Sequence, residues 1–240
     1  MDWVYLSPHL DDAALSCGGS LWELAQSGQR AAVWTVCAGD PPPGPLSPFA
    51  ESLHARWEVG RDAIAERRVE DESSCARLGV SHRHIPIPDC IYREAQEGGP
   101  HLYTSEEALF GPLHPAEEEL VSRLRELLET ELPHGAKLVC PLALGGHVDH
   151  RLTRAAAEGL GRPLWFYAEY PYVLQHDGPL VPEGWGSELQ PISPPGVRAW
   201  QESVAAHASQ ISTFWPDLEA MRTAIQAYAR QLGGVMLFRS

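Results

Sequence analysis

Short apolar runs alternate with longer amphipathic segments along most of this chain. Apolar runs rich in β-branched and aromatic residues, typical of buried strands, cover residues 3–6, 31–37, 84–87, 138–140, 163–167 and 235–238. Helical patterns cover residues 15–26, 53–78, 117–132, 152–160, 197–207 and 218–232. This alternation predicts an α/β fold, a Rossmann-like three-layer sandwich with a mostly parallel sheet and helices on both of its faces.

Two long segments interrupt this pattern, residues 88–115 and residues 169–185, and both are rich in Gly and Pro. Long loops in a compact domain are usually lids or mobile segments, although a disordered surface loop explains the first segment equally well. In the second segment Tyr170, Tyr172 and Trp185 either stack on sugar faces or form a hydrophobic plug, and the plug is slightly favoured. We expect both loops to border an active-site entrance at one edge of the sheet.

Length and composition restrict the class of protein. The 240 residues suit one α/β domain covering residues 1–240. The 32 acidic against 18 basic residues disfavour non-specific binding to nucleic acid or to anionic membranes. Five scattered Cys, no leader segment and no apolar run near the ~20 residues of a membrane span predict a cytoplasmic protein. The oligomeric state stays open, and a homo-oligomer is compatible with the sequence.

Candidate chemistry begins in the segment SPHLDD, residues 7–12, which follows the first strand pattern and precedes a helix. Open α/β sheets place their ligands at such strand-to-helix turns. His9 and Asp12 are three residues apart, so one turn of chain can aim an imidazole and a carboxylate at one zinc-like ion. Asp11 faces differently and is left to handle a proton. The alternative is that Asp11 or Asp12 only caps the helix, a frequent role of Asp.

A second polar cluster, GGHVDH at residues 145–150, occupies the matching place after the strand pattern at residues 138–140. Parallel strands would bring both turns to the same edge of the sheet. His147, Asp149 and His150 would supply the remaining groups for a site with three protein ligands and an open fourth position, which is the arrangement of a catalytic zinc ion. The absence of a GxGxxG turn after the first strand argues against a dinucleotide-binding enzyme.

The two motifs resemble those of the LmbE-like, or PIG-L-like, N-acetylglucosaminyl deacetylases. That family shows a His-Pro-Asp-Asp-Glu stretch early in the chain and a His-x-Asp-His stretch later, where this sequence has PHLDD and HVDH. Arg67 and Glu70 on a helix pattern, and the segment HASQ at residues 207–210, also agree with the family. Leu10 and Ala13 depart from the pattern, but neither change removes a ligand or the expected base.

The resemblance implies a zinc-dependent hydrolase that removes an N-acetyl group from an N-acetylglucosamine-type sugar or its conjugate. One Zn²⁺ per chain, held by His9, Asp12 and His150, would lower the pKa of a bound water toward neutrality. Other divalent transition metals would fit the same ligands. The expected partner is therefore a small N-acetylated sugar or glycoconjugate.

The remaining site residues receive roles in the same hypothesis. Asp11 is expected to take the proton of the attacking water, and His147 to stabilise the oxyanion as a donor. Asp149 is expected to hold His147 in one tautomer and to raise its pKa. Arg67, by resemblance alone, is expected to bind substrate hydroxyls; the alternative is an exposed helix Arg paired with Glu70. Either Asp11 or His147 would protonate the leaving amine.

Two other functions remain open at this point. One is a hydrolase that acts on a non-sugar amide, which the aromatic loops do not distinguish from a sugar deacetylase. The other is a non-catalytic metal-binding or ligand-sensing module. Such a module needs metal ligands but no group that handles a proton, so Asp11 and His147 argue against it.

Overall fold

The computed structural model describes residues 2–57, 60, 62–96 and 98–240, without the side chains of residues 57 and 232. Within these residues the strands are β1 Trp3–Ser7, β2 Ala31–Thr35, β3 Ser81–His84, β4 Lys137–Pro141, β5 Trp165–Tyr167, β6 Gly186–Pro191 and β7 Gly234–Arg239. They form a seven-stranded sheet in the order β3-β2-β1-β4-β5-β7-β6. The first five strands of this order pair in parallel, whereas β7 is antiparallel to both β5 and β6. The predicted α/β fold with a mostly parallel sheet is confirmed.

The helices of the described residues are α1 Asp12–Gln26, α2 Pro48–Trp57, α3 Ala63–Leu78, α4 Glu106–Leu109, α5 Glu118–Glu131, α6 Val148–Glu158, α7 Pro194–Ala205, α8 Ala208–Phe214 and α9 Leu218–Leu232. Tyr5 of β1 packs in one hydrophobic cluster with residues of α1, α3, α7 and α9. Its neighbour Val4 packs in a second cluster with residues of α5 and α6. Successive strand side chains point to opposite faces, so the two clusters show that helices cover both sides of the sheet.

The single helix predicted over residues 53–78 is wrong. The structure has α2 and α3 in its place, with the non-helical Gly60 between them, and residues 58, 59 and 61 of the prediction lie outside the described residues. Glycine disfavours a helix interior because it loses more backbone entropy than other residues. The helix pattern ran across this break because both helices carry similar alternations of Arg, Glu and Ala.

Two strands differ from the sequence-based prediction. β6 was not predicted, because most of its residues are exposed and polar and carry no apolar run. Its place in the sheet depends on pairing with β7. The third strand was predicted over residues 84–87 but is β3, Ser81–His84. Beyond it the chain continues only as isolated bridges at Pro86 and Pro88, since proline lacks the N–H that a regular ladder requires.

The sheet topology brings the two polar motifs together. β1 pairs in parallel with β4, and β4 pairs in parallel with β5, so the loops that follow these three strands leave the same edge. The first motif follows β1, the second follows β4, and residues 168–171 follow β5. This is the carboxyl edge at which ligands bind in open α/β sheets.

Candidate active site

The turn after β1 is stabilised by Ser7. The Oγ atom of Ser7 accepts a hydrogen bond from the Ala13 amide at 3.0 Å, which satisfies a buried amide of the first turn of α1 that has no partner within the helix. Asp11 occupies the cap position, but its carboxylate makes no cap hydrogen bond to the described residues. The Oδ2 atom of Asp12 accepts instead from the His9 amide at 2.8 Å. The capping alternative is therefore wrong for both Asp residues, whose carboxylates remain available to the site.

The carboxylate of Asp12 lies between two imidazoles, where the loops after β1 and β4 meet. The Oδ2 atom of Asp12 lies 3.2 Å from His9 Nδ1 and 3.4 Å from His150 Nε2. The ligand atoms of a tetrahedral zinc site lie about 3.3 Å apart when each is ~2.0–2.1 Å from the ion. Ring nitrogens of His9, His147 and His150 also lie within 4.8 Å of one another. The chemistry and spacing of these groups fit a divalent transition metal.

Each of the two imidazoles nearest Asp12 has a buried carboxylate at its other nitrogen. Asp149 Oδ2 lies 3.0 Å from His9 Nε2, and Glu169 Oε1 lies 3.1 Å from His150 Nδ1. Burial disfavours the charged imidazole of His150, but Asp12 and Glu169 outweigh it and raise the pKa of His150 to about 9. Burial likewise opposes ionisation of Asp12, yet His150 and His9 hold its pKa well below the usual range.

The environment of His147 differs from the prediction. Its Nδ1 atom accepts a hydrogen bond from the backbone amide of Asp149 at 3.2 Å, which leaves the proton of the neutral ring on Nε2. Burial, followed by the charge of His9, lowers the pKa of His147 to about 4 and outweighs the opposing effect of Asp149. Asp149 acts to raise the pKa of His147, as expected, but the net shift is downward, and the backbone amide of Asp149, not its carboxylate, fixes the tautomer.

The Asp149 carboxylate is fully buried and serves other partners. In addition to its contact with His9, it accepts a hydrogen bond from the Cys90 amide at 3.1 Å and forms an ion pair with Arg93 Nη1 at 2.5 Å. Arg93 and His9 keep the pKa of Asp149 well below its ordinary value although burial acts to raise it. Asp149 is thus an ionised group directly behind His9.

Arg67 lies beside Asp11 within the site. Arg67 Nη2 is 3.5 Å from Asp11 Oδ2, and these two side chains are only 11% and 6% exposed. Glu70 instead accepts hydrogen bonds from the Ser209 amide and hydroxyl, so the alternative of an exposed Arg67–Glu70 pair is wrong. Burial raises the pKa of Asp11 to about 6 even though Arg67 acts to lower it. Arg67 Nε is buried and has no hydrogen-bond partner among the described residues, while the residue itself lines the pocket.

The site opens into a pocket of about 300 Å³. Both long loops contribute to its lining, as predicted, although Glu97 of the first loop lies outside the described residues. Phe110 of the first loop is 46% exposed, and its ring centroid is 5.5 Å from that of His147. The lining includes Leu53, Asp89, Ile91, Leu109, Phe110, Tyr172, Gln210 and Phe214.

The three aromatic residues of the second loop lie in two different environments. Tyr170 packs against Tyr228 with ring centroids 4.6 Å apart, and Trp185 packs against Phe166 at 4.7 Å. These two residues form the hydrophobic plug that the sequence slightly favoured. Tyr172 lines the pocket, and its ring centroid lies 5.9 Å from that of His150.

The sequence analysis missed Asp89, Arg93 and Glu169. Asp89 Oδ2 lies 3.6 Å from His9 Nε2, Arg93 contacts Asp149, and Glu169 contacts His150. Asp89 and Glu169 each lie at the start of a long loop at the carboxyl edge of the sheet, and that placement was the available signal. The burial of Arg93 carries no sequence signal, because a charged residue in an irregular segment is ordinarily exposed.

Comparisons with known proteins agree with this geometry. Residues 4–160 match the family model PIG-L, described as GlcNAc-PI de-N-acetylase. A 2'-N-acetylparomamine deacetylase of Niallia circulans is 35% identical over 200 residues, covering 76% of this chain and 71% of the relative. A 1D-myo-inositol 2-acetamido-2-deoxy-alpha-D-glucopyranoside deacetylase of Corynebacterium glutamicum is 28% identical over 227 residues, covering 87% of this chain and 74% of the relative. The crystal structure of the zinc-inhibited form of a teicoplanin deacetylase superposes with a TM-score of 0.84 at 28% identity, covering 100% of this chain and 97% of the other.

These relatives are all deacetylases, and the match to the family model extends over more than half of the chain. The alternative of a non-catalytic metal-binding or ligand-sensing module is therefore not supported. The chain belongs to the PIG-L family, and it is a hydrolytic enzyme, a deacetylase.

Proposed function

We propose that this enzyme removes the N-acetyl group from an N-acetylglucosamine-type sugar, either free or as part of a conjugate. The observation that carries the proposal is the position of Asp12 Oδ2 between His9 Nδ1 and His150 Nε2, beside a pocket that His9, Asp11 and Asp12 line. The relatives support the class of substrate, because they act on acetylated paromamine, on an acetamido-glucopyranoside and on a teicoplanin.

The cofactor in this proposal is one Zn²⁺ per chain, held by His9, Asp12 and His150. When bound, such an ion supplies a water of lowered pKa and polarises the acetamide carbonyl. The same donor set accepts other divalent transition metals, so the native metal is decided by availability as well as by geometry.

Asp11 has the properties of the proton acceptor. Its pKa of about 6 leaves the carboxylate ionised at neutral pH, and it lines the pocket next to the donor atoms. A divalent ion beside it lowers that pKa further, which keeps the carboxylate ionised and able to accept a proton. We assign to Asp11 both the uptake of the proton from the attacking water and its delivery to the leaving amine.

His147 fits a different role. With a pKa of about 4 the ring is neutral at pH 7, so it has no second proton to give to the amine. Its Nε2–H, fixed by the bond from the Asp149 amide to Nδ1, is a donor for the carbonyl oxygen as negative charge develops there. Arg67, which lines the pocket, is assigned to the binding of substrate hydroxyls. Asp149 acts on the reaction by orienting His9.

The proposal also covers the cellular location of the enzyme, its partners and its oligomeric state. Among the described residues, no helix combines the length and apolar character that a bilayer crossing requires. We propose a cytoplasmic enzyme whose partner is a small N-acetylated sugar or glycoconjugate, with no nucleic-acid partner. A homo-oligomer is compatible with this function.

The direct test measures acetate released from a panel of compounds, together with the metal content of the same sample. The panel contains N-acetylglucosamine, aryl and alkyl glycosides of it, N-acetylparomamine and N-acetylated amines without a sugar. Zinc is added only up to stoichiometry, because one relative is known in a zinc-inhibited form. We expect release from at least one sugar and none from the simple amines. Release from the simple amines alone would establish the non-sugar amide hydrolase instead.

We expect Phe110 to act on the aglycone, meaning the group attached to the sugar. In Phe110→Ala, kcat/KM for an aryl N-acetylglucosaminide should fall up to about tenfold, because an aromatic contact contributes roughly 0.5–1.5 kcal/mol. The same constant for free N-acetylglucosamine should stay unchanged. Val69→Ala is the control, since Val69 lies on α3, is 65% exposed and does not belong to the described pocket lining. An equal loss on both substrates would contradict a role in aglycone selection.

A further inference from the structure

The carboxylate of Glu169 is fully buried at the carboxyl edge of the sheet, directly behind His150. Its Oε1 atom lies 3.1 Å from His150 Nδ1, and its Oε2 atom accepts from the Leu144 amide at 3.4 Å. A buried carboxylate is costly unless it is paired and hydrogen-bonded. The cost of burying Glu169 is thus offset by an imidazole from the second motif and by an amide from the loop before it.

The two nitrogens of His150 face different carboxylates. His150 Nε2 is 3.4 Å from Asp12 Oδ2, whereas Nδ1 faces Glu169. A hydrogen bond donated by Nδ1 places the proton of the neutral ring on that atom and leaves the Nε2 lone pair free for a metal. Glu169 therefore selects the tautomer in which Nε2, the nitrogen beside Asp12, can bind an ion.

The ring of His150 is also held from the side. Tyr172 meets it edge-on, with ring planes at 89°. Tyr172 in turn lies over Gly145, where a Cβ atom would come within 2.7 Å of the ring atom Cδ1 of Tyr172. Only a residue without a side chain permits this approach, which gives the second glycine-rich turn a packing function.

The position of Glu169 is fixed by its own segment. The Tyr170 amide donates to Ser16 Oγ of α1 at 3.1 Å, and the Val173 amide donates to the Glu169 carbonyl at 2.8 Å. The carboxylate is therefore supported by the end of β5, by α1 and by the turn that follows. A group anchored in this way can orient an imidazole without moving itself.

We propose that Glu169 is a positioning residue that orients His150 and increases the affinity of the site for its metal. The inference rests on the proposed function, in which His150 is a metal ligand. Loss of a carboxylate behind a metal-binding imidazole typically lowers metal affinity about 10- to 100-fold. The negative charge also makes Nε2 a better electron-pair donor, so the effect has an orienting part and an electrostatic part.

The test compares wild type with Glu169→Ala, Glu169→Gln and the control Asp71→Asn. Asp71 is also a buried carboxylate bonded to an imidazole, at 2.8 Å from His84 Nε2, but it contacts none of the three donor atoms. Zinc affinity is measured by competition with a chromogenic chelator. The visible absorption of the Co²⁺-substituted protein reports the coordination geometry. Thermal unfolding in EDTA checks that each variant is folded.

We expect a loss of affinity of roughly 10- to 100-fold in Glu169→Ala. The loss should be smaller in Glu169→Gln, because the amide oxygen still accepts from Nδ1. The Co²⁺ spectrum should change in both Glu169 variants and remain that of wild type in Asp71→Asn. If Glu169→Ala fails to fold, the zinc affinity and Co²⁺ spectrum of the closely isosteric Glu169→Gln are compared with those of wild type instead.

Wild-type affinity and spectrum in the folded Glu169 variants would overturn the inference while leaving the metal site intact. An equal loss in Asp71→Asn would also overturn it, because the effect would then follow from any lost buried pair. A wild-type protein that binds no metal would overturn the proposed metal site together with this inference. The failure of the inference alone is therefore distinguishable from the failure of the proposed function.

Discussion

His150→Ala is expected to remove the bound metal and the deacetylase activity together. The substitution deletes one of the three proposed ligand atoms, Nε2, which lies 3.4 Å from Asp12 Oδ2. It also leaves the buried carboxylate of Glu169 without its imidazole partner, and an unpaired buried charge is costly. Metal content is measured by elemental analysis after gel filtration, and acetate release is measured on the same sample.

His84→Ala is the control for this substitution. His84 also pairs with a buried carboxylate, Asp71, but it lies on β3 and does not contribute to the described pocket lining. The control should retain wild-type metal content even if its stability decreases. Full zinc occupancy in His150→Ala would show that the proposed ligand set is wrong.

Asp11→Asn is expected to bind a near-normal amount of metal but to turn over roughly a hundred to ten thousand times more slowly, the usual cost of removing a general base. The amide keeps the size of the side chain and loses the basic oxygen. The protein surroundings of Asp11 give it a pKa of about 6, and a bound divalent ion lowers that pKa. Because protonated Asp11 is inactive, kcat/KM of the metal-loaded wild type should decrease at a pH below about 6. The residual activity of Asp11→Asn should lack this decrease.

Asp40→Asn serves as the matched control. Asp40 lies at the same edge of the sheet after β2, but its carboxylate is exposed and pairs with Arg68 at 2.8 Å. Its zinc content, turnover and pH profile should equal those of wild type. Loss of zinc in Asp11→Asn would make Asp11 a ligand, and unchanged turnover would remove it from the reaction.

Much of the fold is encoded locally. The apolar runs found at residues 3–6 and 138–140 lie within β1 and β4, and the helix predicted over residues 218–232 coincides with α9. These features follow from the period of buried positions, which each segment carries in its own sequence. The motifs at residues 7–12 and 145–150 could also be placed at one sheet edge, because parallel pairing leaves few alternatives. The assignment of residues 1–240 to one domain stays a prediction.

The partners of the polar side chains were decided by the tertiary structure. Asp149 was expected to act on its neighbour His147, yet its carboxylate pairs with His9 and Arg93, both distant in sequence. Glu169 reaches His150 because β5 lies beside β4. The sequence by itself therefore determined the α/β order of elements, the two motifs and the chemistry of their side chains. Only the packing of distant loops decided which carboxylate supports which imidazole, because such pairing depends on distances in space that no periodicity along the chain records.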